Sequence, residues 1–134
     1  MTMQLPKSIR DNLRFLSVEV DSQVANLQTF FKTPTTAVAR RILDRSGYAY
    51  NLKMRIHTSC LEQLARRKKN GSAETLALRT VEFIATDLER ITELCRDCIK
   101  QMEYVTDITC IKPKAYGPML ARVRHGIELV EPAI

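Results

Sequence analysis

Apolar residues near the start of the chain recur at a helical interval. Ile9, Leu13, Leu16, Val20, Val24, Leu27 and Phe31 follow one another at steps of three or four, which gathers them into one stripe on a helix. This spacing predicts a long amphipathic helix over residues 9–31. "KTPTT" then breaks the pattern, with Thr33 suited to cap the next helix and Pro34 to its first turn, where a missing N–H costs nothing. A second stripe over residues 34–69 is carried by Val38, Ile42, Ala49, Leu52, Ile56, Cys60 and Leu64. It weakens at Arg45, Ser46 and Gly47, which predicts a bend or local fray. Asn70 and Gly71 end that helix.

Ser72 opens a third helix, with Glu74 in its first turn. Ala77, Val81, Ile84, Leu88, Ile91, Cys95, Cys98, Met102 and Val105 then alternate steps of four and three, a heptad-like seam suited to long neighbours at shallow angles. Residues 107–118 read as a linker. Leu120, Val123, Ile127 and Val130 begin a fourth amphipathic helix. The pattern predicts an all-α fold: an antiparallel three-helix bundle over residues 1–106 and a short fourth helix within 119–134. A short amphipathic helix is marginal alone. Its stripe needs its own bundle, another chain or the rest of a longer protein, and we expect self-association through it.

Composition agrees with this helical reading. Hydrophobic residues make up 45% of the 134 and charged ones 27%, as in a globular domain rather than a disordered one. No apolar run approaches a membrane span, and the opening residues lack the apolar core of a secretory signal. A cytoplasmic protein is expected. The 21 basic and 15 acidic residues leave a net charge of +6, suited to an acidic partner, an anionic membrane surface or nucleic acid. The basic residues are dispersed and lack interleaved aromatics, which speaks against nucleic acid. The densest run, Arg66, Arg67, Lys68 and Lys69, falls where it complements the negative end of a helix dipole; a docking patch for an acidic partner is the competing reading.

Candidate chemistry concentrates in "IATDLERITELCRDC", residues 84–98. Cys95 and Cys98 fall on the apolar stripe in mid-helix, away from the N-terminal position that activates redox pairs, so both are expected to be buried, reduced packing residues. Glu82, Thr86, Glu89 and Glu93 line the face away from the predicted seam, with Asp87 and Asp97 nearby. Glu89 and Glu93 are four apart, so their carboxylates can reach one hard cation together. Spacing alone favours a solvated acidic face balanced by Arg90, Arg96 and Lys100. His57 and His125 have no partner pattern for catalysis, and there is no phosphate loop or nucleophile elbow. Nothing in the chain argues for an enzyme.

"TDLERITELCRDCI" resembles the signature of the PhoU family of helical regulators of bacterial phosphate uptake, "DLERIGDxxxNI". Thr86, Asp87, Leu88, Glu89, Arg90 and Ile91 match, Thr92 replaces the family glycine and Glu93 its aspartate. "CLEQLA", Cys60 to Ala65, resembles the end of the family's second helix, and Val20-Asp21 its valine followed by an acid. The resemblance implies one three-helix repeat, with helices of spectrin-repeat length, and the start of a second repeat. It implies a regulator, typically negative, that contacts a phosphate transporter or its sensor histidine kinase. It also implies a surface metal motif on Glu89 and Glu93, for iron, zinc or another divalent or trivalent ion. The family's "QQP" stretch is replaced here by "RRKKNG". Two other readings compete: a metal-binding helical bundle and a generic helical dimerisation module. A di-iron bundle would want Glu-x-x-His pairs facing the core, and the chain has none.

Overall fold

The computed structural model describes residues 5–45, 47–66 and 73–133. Those residues form six α-helices and no strand: α1 (Lys7–Lys32), α2 (Thr36–Leu43), α3 (Tyr48–Ala65), α4 (Ala73–Gln101), α5 (Pro113–Glu128) and α6 (Val130–Ala133). The fold is the expected all-α bundle. Helices α1, α3 and α4 pack on one another, α2 covers α1 and α4, and α5 lies along α1. The central helix is α1. Its Ile9, Leu13, Leu16 and Val20 are fully buried, because neighbours enclose it on several sides.

The second predicted helix is two helices. Asp44, Arg45 and Gly47 separate α2 from α3, and Gly47 adopts a left-handed φ of 95° that ends one helical path and starts another. The weak stripe marked this place. An ion pair fixes it: Arg45 donates from Nε to Glu19 Oε1 at 3.1 Å and from Nη2 to Oε2 at 2.6 Å, and its guanidinium lies 4.7 Å from the Tyr48 ring centroid. Glu19 is buried on α1, so a charged clamp holds the turn against the bundle. The cap of α2 also differs from expectation. Thr35, not Thr33, accepts the Val38 N–H at 3.2 Å, while Thr33 closes α1 by donating its N–H to the Thr29 carbonyl. The residue before a proline is driven to extended backbone, so Thr33 stays outside the new helix.

The buried face of α4 is rotated by less than a quarter turn from the predicted seam. Val81, Leu88 and Cys95 are buried as expected, but Leu78, Ala85, Glu89, Thr92 and Ile99 join them, while Ile84 and Ile91 are only partly buried. Cys98 and Val105 are exposed. Small or polar residues, Ala85 and Thr92 among them, make up part of this buried face. Counting large apolar residues alone misses them.

Helix α5 begins at Pro113, inside the stretch read as a linker, and folds back on α1. Leu120 and Ile127 are buried, with Val123 and Val130 partly so. Arg124 grips Asp21 with two bonds, at 2.9 and 3.1 Å, and donates to Gln28 Oε1 at 3.2 Å. Tyr116 stacks obliquely on Phe31, centroids 5.1 Å apart. The apolar stripe expected to drive self-association is therefore covered within the chain. Arg67, Lys68 and Lys69 of the basic run lie outside the described residues, as does the predicted Asn70–Ser72 break. Arg66, the C-cap of α3, is exposed.

Candidate functional site

The charged groups that the sequence singled out converge on the seam between α3 and α4. The spacing that buries Leu52, Ile56 and Cys60 places Lys53 and His57 one turn apart at the edge of α3. On α4, Glu82, Thr86, Glu89 and Glu93 lie along the edge that faces them.

Glu89 corrects the sequence reading. It is not on a solvated face; it is 3% exposed. Lys53 Nζ lies 3.6 Å from its Oε2 and 4.7 Å from the Tyr50 ring centroid. Burial, and Glu93 alongside it, push the Glu89 carboxyl above its usual range, against the pull of the Lys53 ammonium. Glu93 is half-buried, whereas Asp87 and Asp97 are exposed. The rotation of α4 accounts for this, since it carries the Glu89 row under α3. Next along the seam, His57 Nδ1 lies 3.2 Å from Glu82 Oε1, and a hollow of about 230 Å³ opens between Lys53, Met54, His57, Glu82, Ala85 and Thr86. Lys53 and the His57–Glu82 pair escaped the sequence reading. Their signal was the i, i+4 step flanking the α3 stripe.

The raised Glu89 carboxyl sets a sign for stability. An acid whose pKa is higher in the folded state binds more protons folded than unfolded, so its contribution falls as pH rises. The penalty is absent below the ordinary value of 4.5 and complete above the raised folded value. We expect Glu89→Gln to lie within about 1 kcal/mol of wild type at pH 7, because glutamine keeps the volume without the buried charge and Lys53, whose side chain is partly exposed, can turn its ammonium to water. Wild type should gain on the variant as pH falls through that window, as read by urea unfolding across the range. Parallel pH profiles would contradict the burial of a charged Glu89.

The four cysteines are free thiols. Burial pushes Cys60 up to about 11, with help from Glu82, and Cys95 up to about 12. Cys60 and Cys95 should therefore react slowly with a thiol reagent at pH 8 and quickly after denaturation, while exposed Cys110 reacts at once and Cys98, exposed but with its thiol pushed up by partial burial and by Asp97, reacts at a rate between the two. Fast native labelling of all four would contradict this packing. The expectation that Cys98 is buried is corrected by the rotation of α4.

Among the described residues no three His, Cys, Asp or Glu side chains converge as a metal cage, and no helix is long and apolar enough to cross a membrane. Fold and seam together define an all-α bundle whose polar chemistry is ion pairing between helices. The PhoU domain family matches residues 13–102, from the first turns of α1 to the end of α4, and the chain belongs to that family. This makes it a member of a regulatory, non-catalytic family of phosphate homeostasis. No curated protein and no solved structure matches the chain.

Proposed function

We propose that this chain is a non-catalytic module that restrains phosphate transport and signalling in the cytoplasm by contacting a phosphate transporter or its sensor histidine kinase. The observation that carries the reading is the family match over residues 13–102, with Asp87, Leu88, Glu89, Arg90 and Ile91 at the middle of α4. A net charge of +6 and the exposed Arg40, Arg41 and Arg66 support a partner with an acidic surface. Deleting the gene should raise expression of a phosphate-starvation reporter in phosphate-replete cells, and the wild-type chain should restore repression. Direct binding of the purified chain to the kinase's cytoplasmic part should weaken as salt rises. An unchanged reporter together with no binding to kinase or transporter would overturn the proposal.

A metal ion at Glu89 and Glu93 is a second reading, favoured by two carboxylates one turn apart and close enough for Glu93 to raise Glu89. Lys53 would have to withdraw, since its ammonium already neutralises Glu89. Titration of ferric, manganous or zinc ions into wild type and Glu89→Gln/Glu93→Gln decides it, and equal affinity would remove the metal.

A further inference from the structure

Helix α4 carries a second heptad row on the face opposite its core. Leu76, Thr80, Phe83, Asp87, Arg90, Leu94 and Asp97 follow one another at alternating steps of four and three. Leu76 is 68% exposed, Phe83 73% and Leu94 52%. The helices that pack on α4 are α1, α2 and α3, and α5 lies on α1, so the three large apolar side chains of this row are left to solvent. Three large apolar side chains at seam spacing on one solvated face are not what a surface of dispersed hydrophobes presents.

The charges in the row are complementary to themselves in one orientation only. In an antiparallel pair about a twofold axis between residues 88 and 89, Phe83 meets the partner's Leu94 and Asp87 meets the partner's Arg90. Thr80 meets the partner's Asp97. By symmetry each layer occurs twice, so two ion pairs sit between two apolar layers. In a parallel pair Asp87, Arg90 and Asp97 would each face the same residue of the other chain, and like charges would oppose it. Neither Asp87 nor Arg90 forms an ion pair among the described residues, so both are free to serve another chain.

We propose that the outer face of α4 is an antiparallel interface with a second copy of this chain, with Phe83 and Leu94 as its apolar anchors and Asp87 and Arg90 setting the register. This inference is independent of the regulatory reading. A partner of another kind, such as a further helical repeat, would use the apolar anchors without requiring this symmetry.

Sedimentation equilibrium from low to high micromolar concentration tests it on the full chain. Wild type should show a reversible monomer–dimer equilibrium. Asp87→Arg or Arg90→Asp alone places like charges in both central layers and should weaken association at least about tenfold. The double variant Asp87→Arg/Arg90→Asp exchanges the signs and should return affinity to within about threefold of wild type. Phe83→Asp should abolish the dimer while circular dichroism and the thermal midpoint hold, because the residue is exposed in the monomer. A wild type that stays monomeric throughout, single swaps without effect, or a double swap no better than the singles would each overturn the interface.

Discussion

Leu78→Ala should cost about 2–5 kcal/mol of stability in urea unfolding, whereas Ile84→Ala should cost only about 1–2 kcal/mol. Leu78 is 1% exposed, while Ile84 only borders the core. Truncating a fully enclosed leucine removes its transfer free energy and leaves a cavity that the surrounding helices cannot close. At the edge of a core, water and neighbouring side chains fill part of the space. The comparison discriminates because the heptad spacing of large apolar residues puts Ile84, not Leu78, at the centre of the α4 seam. Equal costs, or a larger cost at Ile84, would restore that spacing as the description of the packed face.

The general plan of the fold was legible in the chain. Long runs with a helical step in apolar residues mark α1 and α4, and the loss of that step around Gly47 marks the division of α2 from α3. The setting of α4 was harder to read because a helix touching several neighbours buries a wide arc. That arc includes Ala85, Thr92 and Glu89, which no hydropathy count selects. An error of under a quarter turn carried Glu89 from the core to the surface and Cys98 from the surface to the core. Helix α5 was visible in Leu120, Val123, Ile127 and Val130, but its destination was not. The groups that dock it, Asp21 and Gln28, lie about a hundred residues away, and no local pattern links them. The site was partly legible: the carboxylates of α4 were evident, but the cation that answers Glu89 comes from α3. Only the packed structure shows that Lys53 neutralises it.

Arg45→Ala should destabilise the protein by about 2 kcal/mol, below the 3–5 kcal/mol of a fully buried pair because the guanidinium is itself half-exposed. The effect is expected to be one-sided. Removing Arg45 strands the buried Glu19 carboxylate, whose remaining partner here is Gln23 Nε2 at 3.2 Å. Removing the charge from the other side, with Glu19→Gln, leaves an arginine that solvent can reach and that still lies over Tyr48, so it should cost less than about 1 kcal/mol. In the double variant the neutral amide no longer needs its cation, so the two losses should fall short of additive. Urea unfolding of all four proteins measures this cycle. Additive losses, or a larger cost at Glu19 than at Arg45, would mean that the ion pair merely decorates the turn between α2 and α3. The left-handed Gly47 alone would then divide the two helices.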